Sequence, residues 1–501
     1  MPVAEQNFRA VFDRFRAIDL FGQGPPDPPF GTTLTVEAVK PPIESASTRL
    51  PFVYRRVYVD PLVSQLQAVL QAFEQLKPED RQMAVEALAG VVYDHSVPDV
   101  AAPLHRFLAV VSNLYRSFLD AQRRTRAHLP LRGFTPPLAT FQHSGKKGPY
   151  TYGVDAIQSL CGGLTGVVSL PSTYRDHPVL WASLAHETGG HDVLHADPGL
   201  LEELGEGVAA FFGGASGFDP LHLTGAQVLA ILWAWWIDEA ASDVYGLLNI
   251  GPAFALNLIA FFAALNARSH GTDQPVLRIR SGQSTEARLD RHPIDVLRPH
   301  IAIGVIQSLR GLNPSVRERY VRDLNMLTDL CSGGAQNVEV VGFLPLQGGG
   351  TLPLNTALPL KDMQDAARRV GAFIASTPLH ALGNHSIQDI ETWDDADEAV
   401  AVGIAEILKS NHSAVGGGDD AQLLAGATLA VLDQPATYDK VTSRLDEALD
   451  FSFATDPIWG IPLPDQLYVP DAEVEAGSRL DRYAFDVQLV GRTAASAPVV
   501  S

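Results

Sequence analysis

The chain has 501 residues, 46% of them hydrophobic, which is enough core material for two to four domains. Fifty-seven acidic against 37 basic side chains leave a formal charge of −20, which excludes a nucleic-acid surface built from clustered Lys and Arg. Two cysteines, Cys161 and Cys331, make no disulfide framework and suit a reducing compartment, so a cytoplasmic location is expected.

The N-terminal 15 residues carry charges throughout and lack the apolar segment of a secretory signal. An amphipathic helix is predicted over 8–18, then an irregular run, Gly22 to Pro29, whose prolines and glycines forbid regular structure. Residues 32–39 alternate as a short strand would. Helices are predicted over 61–76, 78–93 and 100–129. Leu62, Leu66, Val69, Leu70 and Phe73 recur at helical spacing as a core stripe, and His95 and His105 read as structural. Arg123-Arg124-Thr125-Arg126 reads as a solvated helix face.

From residue 130 the texture turns to loops and short strands. Gly162 to Pro171 reads as a glycine-entered strand, and no Gly-Lys-Ser/Thr follows to make it a phosphate loop. Gly166 to Leu170 could lie at a sheet edge and pair with an extended peptide, or be an ordinary core strand.

The run His186-Glu187-Thr188-Gly189-Gly190-His191 comes next, answered 48 positions after His191 by Glu239-Ala240-Ala241-Ser242-Asp243. Two imidazoles and a carboxylate are the set that leaves a fourth position open for water on a catalytic zinc. His186, His191 and Glu239 are therefore candidate ligands, and Glu187 a candidate base for the acidified water. On a regular helix, five positions would set the histidines about 140° apart, so the turn must widen. Gly189-Gly190 permits a π-type turn at modest cost. Asp243, four residues after Glu239, shares its helix face and can hold the outer nitrogen of a ligand histidine. An otherwise apolar helix, 228–237, that ends in Asp238, Glu239 and Asp243 calls for a cation.

Other registers compete. His191-Asp192-Val193-Leu194-His195 has regular i, i+4 spacing, which would make His191 and His195 ligands and Asp192 the base. Glu187, His191 and His195 also fall on one stripe, a set suited to iron or manganese.

Downstream, a helix is predicted over 200–212 with Glu202, Glu203 and Glu206 on its wet face, then a loop over 213–220 and the second ligand helix over 224–248. Residues 269–287 are polar and read as a mobile lid or rim. Arg291-His292-Pro293-Ile294-Asp295-Val296-Leu297-Arg298-Pro299-His300 follows, and His292, Arg298 and His300 are candidates to stabilise an oxyanion. Strand 338–343, a flexible Gly348-Gly349-Gly350 link and helices over 361–376, 396–410, 420–432 and 438–449 complete the chain. Gly416 to Asp420 reads as a cap for the 420 helix, His380, His385 and His412 as loop residues, and the tail from Pro462 as extended or disordered.

The His-Glu-x-x-Gly-His and Glu-x-x-x-Asp pair resembles the dipeptidyl-peptidase III family of zinc exopeptidases, and 239–246 resembles the glutamate-ligand helix of thermolysin-like proteases. His-Pro-x-x-x-x-Arg at 292–298 is similar to a segment of CAAX-processing metalloproteases. The resemblance covers about 60 residues and implies His186, His191 and Glu239 as zinc ligands, Glu187 as general base and Asp243 behind the ligands.

The expected fold is an α-rich α+β protein. A zincin-like core over 131–332, with two metal-ligand helices and a small edge sheet, stands between a helical region at 1–130 and a helical region with an extended tail at 333–501. The expected function is a Zn2+-dependent metallopeptidase acting on a peptide or protein, with no nucleic acid and no membrane span. The alternatives are an inactive zincin-like scaffold or a non-peptidase metalloenzyme using His191 and His195.

Overall fold

The computed structural model describes residues 2–459, except 19–29, 31–33, 120–123, 125, 128, 130–134, 143–147, 215–222, 346–349 and 411–417. The run Gly22 to Pro29, Arg123, Thr125, loop residues 215–220, Gly348, Gly349, His412, Gly416, Gly417 and the tail from Pro462 therefore lie outside the described residues.

Helices dominate, joined by a three-stranded sheet and a two-stranded hairpin, which makes the fold α-rich α+β. Helices run where apolar spacing places them in Glu5–Ala17, Asp60–Phe73 and Leu360–Ser376, and side-chain caps also start Asp395–Lys409 and Asp420–Asp433. Asp419 caps the last of these through Gln422 N–H, with Gln422 returning the bond.

The sheet runs β1 (Leu138–Gln142), β3 (Val167–Pro171), β2 (Tyr150–Tyr152), with β1 parallel and β2 antiparallel to β3. Its side chains alternate between two cores, as the period of a strand requires. Ala139, Phe141, Val168 and Leu170 enter a large core shared with Trp181, Trp233, Tyr245 and Ile301. Leu138, Val167 and Tyr152 enter a second core with Tyr54, Tyr58 and Leu66. The large core also takes Phe8 and Phe12 from the N-terminal helix and Val370 and Leu445 from beyond residue 332, so it crosses both 130 and 332.

Four expectations need correction. β3 is the central strand and both its edges are occupied, so Gly166 to Leu170 offers no edge for a peptide to join. Residues 36–39 are helical: Thr35 caps Val36–Ser47 by accepting from Ala38 N–H, and Val39, Ile43 and Ala46 form its buried stripe, which outweighs the short alternation. Residues 277–289 are no mobile rim. They lie alongside the hairpin of β4 (Asn337–Pro345) and β5 (Thr351–Pro359), with Ser281 N–H bonded to Glu339 O and Leu289 N–H to Phe343 O. Polar composition hid that ladder, because backbone groups make it. Finally, Arg124 is fully buried in a bidentate pair with Asp197, not on a solvated face.

Candidate metal centre

The run 185–192 forms a π-helix, Ala185–Asp192, as the spacing of its histidines demands. Backbone bonds that skip five residues bring His186 and His191 onto one side, with ring centroids 4.8 Å apart. The glycines also let this helix approach Ile237–Ile250 closely. A Cβ on Gly190 would stand 2.6 Å from Ser242 Cα, and one on Gly189 2.6 Å from Asn249 Nδ2.

The second ligand helix is not continuous. Gly225–Trp235, started by a Thr224–Gln227 capping box, is offset from Ile237–Ile250 at Trp236, whose φ and ψ are −91° and 7°. There the Trp235 and Trp236 indole N–H groups both donate to the Asp290 carbonyl oxygen, at 3.2 and 3.0 Å. These bonds fasten the loop that carries His292 to the helix that carries Glu239. Gly251, at φ 73°, then turns the chain into the next helix, Pro252–Ser269.

His186, His191 and Glu239 converge, with one ligand atom from each lying within 4.8 Å of the others. His186 Nε2 is 3.1 Å from Glu239 Oε2, and His191 Nε2 is 3.7 Å from Glu239 Oε1. Donors around one tetrahedral metal ion stand about 3.4 Å apart, so this group is close enough for a single ion to draw its members together. Each ring is aimed by a carboxylate behind it: His186 Nδ1 is 2.9 Å from Asp243 Oδ1, and His191 Nδ1 is 2.9 Å from Asp238 Oδ1. A metal-binding histidine uses its outer nitrogen in this way, fixing the tautomer that points Nε2 inward. Asp243 was expected in this role. Asp238 was not, and its signal was only a second acid beside the ligand glutamate.

His292 repeats the pattern from the open side. Its Nε2 is 3.2 Å from Glu239 Oε1, its Nδ1 is 2.8 Å from Asp290 Oδ1, and its side chain is 31% exposed against 9% for His186 and 14% for His191. Asp290 also accepts the His292 backbone N–H, so the i, i+2 acid was the overlooked signal. Arg298 lies behind the ligands. It grips Asp243 through Nε at 2.7 Å and a second nitrogen at 2.5 Å, stacks on Phe262 and is 3% exposed. One of its nitrogens is also 3.2 Å from His186 Nδ1, so it acts on His186 both directly and through Asp243. His300, two residues on, falls on the other side of its helix, where its Nδ1 accepts from Arg368 Nε at 3.2 Å. Burial and the Arg368 charge push its imidazole down to about 3.

His195 and Asp192 lie outside the ligand cluster. His195 Nδ1 is 3.1 Å from Asp155 Oδ2, and its Nε2 is 3.7 Å from Asp238 Oδ2, so it backs the carboxylate that backs His191. Asp192 is buried under Gly166, where an added Cβ would run into its Oδ1. Glu187 is buried one residue along from His186, with its Oε2 accepting from Thr151 Oγ1 at 2.9 Å.

Charges within the cluster sustain one another. Burial would raise the Glu239 carboxyl, but His292, His191 and His186 hold it well below the usual range. Asp243 is held down in the same way, chiefly by Arg298. Burial lowers His186 and His191, and the facing carboxylates outweigh it and raise both. A cation entering here must displace protons from the imidazoles, which links its affinity to pH.

Cys161 and Cys331 are buried free thiols. Among the described residues, no helix is long and apolar enough to cross a membrane. No protein-family model matches the chain, and neither the curated proteins nor the solved structures yield a match.

Proposed function

We propose that this chain is a zinc-dependent hydrolase that cleaves amide bonds in peptides. The observation that carries the reading is the convergence of His186 and His191 on Glu239, with each ring fixed from behind by its own carboxylate. A direct hydrogen bond between His186 and Glu239 would need only one imidazole. Two backed imidazoles converging on one carboxylate are economically explained by an ion between them.

A zinc ion bound there supplies a Lewis acid and a water of lowered pKa. The remaining work falls to the chain's own side chains. Glu187, buried and oriented by Thr151, takes the proton from the attacking water and returns it to the departing amine. His292, the most open of the three histidines and held by Asp290, stands where it can donate to the oxygen of a tetrahedral intermediate. Arg298 and Asp243 hold His186 in its tautomer. Two helices and a tryptophan-anchored loop thus supply ligands, base and oxyanion donor from rigid elements.

Chelator-stripped protein, with and without one equivalent of zinc, tests this on an internally quenched peptide library. Cleavage restored by zinc is the expected result. Zinc that binds stoichiometrically without cleavage of any pool would instead leave a metal-bearing scaffold.

A further inference from the structure

The base assigned above is held by one side chain on the short edge strand of the three-stranded sheet. Thr151 is the middle residue of β2 (Tyr150–Tyr152), and its pairing with Val168 puts it on the sheet face that carries Val168 into the large core. Tyr150 and Tyr152 take the opposite face, with rings 5.3 Å apart against the second core. A slip of one residue would put a tyrosine where the threonine stands.

The Thr151 hydroxyl has two acceptors on the same residue. Oγ1 lies 2.9 Å from Glu187 Oε2 and 3.1 Å from the Glu187 carbonyl oxygen, with Thr151 buried. A hydroxyl has one proton to give and lone pairs to accept with. While Glu187 is a carboxylate, the hydroxyl donates to Oε2. Once Glu187 carries the proton taken from water on its other oxygen, Oε2 is the carbonyl oxygen of the acid and still accepts from the threonine hydroxyl. The same hydrogen bond therefore serves both states, and neither oxygen has to move. A methyl group could serve neither state.

We propose that Thr151 is the positioning residue for Glu187, holding its carboxylate in one place through both halves of the proton transfer. This rests on the reading of Glu187 as general base. Thr151→Val keeps the shape and removes the hydroxyl, and Thr151→Ser restores it, so the pair separates chemistry from folding.

The experiment measures zinc content, kcat and KM on the quenched peptides for wild type and both variants, with crystal structures of all three. For Thr151→Val the expected result is one zinc per chain, an unchanged KM, a kcat lower by about tenfold or more and a displaced Glu187 carboxylate. Thr151→Ser should return kcat and the carboxylate position. A wild-type kcat in Thr151→Val, or an equal loss in Thr151→Ser, would overturn the inference and leave the hydrolase reading standing. Should zinc-loaded wild type cleave nothing, the hydrolase reading falls, and an unmoved Glu187 in crystals of Thr151→Val would overturn the positioning role separately.

Discussion

Glu187→Gln protein is expected to bind zinc as wild type does and to lose about 10²–10⁴-fold of its turnover on peptides, the usual loss when a positioned general base is removed. The substitution keeps the volume and keeps an oxygen that can accept from Thr151 Oγ1. What it removes is the capacity to take a proton. The ligands His186, His191 and Glu239 are untouched, so zinc content measured on the same sample separates loss of chemistry from loss of metal. Full turnover with zinc still bound would remove Glu187 from the mechanism.

Gly190→Ala is the second large effect, and it acts on geometry. The added methyl would lie 2.6 Å from both Cα and Cβ of Ser242, three residues after Glu239 on the partner helix. Backbone cannot swing aside as a side chain does, so the two ligand helices must part. Unfolding free energy in urea should fall by about 1–3 kcal/mol, as overpacking a dense interior does. Zinc affinity by competition titration should fall with it, since His186 and His191 ride on one helix and Glu239 on the other. Gly189→Ala is the control. Its methyl would meet the amide end of Asn249, a side chain and not backbone, so although that amide is buried and bonded to Leu114 O and Ser117 Oγ its effect should be smaller. Equal zinc affinity in Gly190→Ala and wild type would mean that close helix contact does not hold the cluster together.

The ligand cluster was legible because its constraints are local. Two histidines five apart demand a widened turn, the glycines between them permit one, and the π-helix Ala185–Asp192 is the result. Asp243 could be assigned from its four-residue spacing to Glu239. His195 misled by the same logic. Its regular spacing from His191 is kept, with His195 N–H bonded to His191 O, but one α-turn on from His191 the ring faces Asp155 and Asp238 and not Glu239. The parts that were missed depend on contacts between distant segments. Asp290 supports His292 only because two indoles fasten its loop to the ligand helix. Thr151 reaches Glu187 only because β2 pairs with β3, and that pairing also closed the edge that the β3 rail required. Strand order is a property of the assembled sheet, and alternation along one strand does not encode it.

Elemental analysis of protein purified without chelator, beside His186→Ala, Glu239→Ala and His195→Ala, tests the central claim most directly. One zinc per chain is expected in wild type, with loss of it in His186→Ala and Glu239→Ala and retention in His195→Ala. Metal absent from wild type even after incubation with zinc, or lost with His195 but kept without His186, would contradict it.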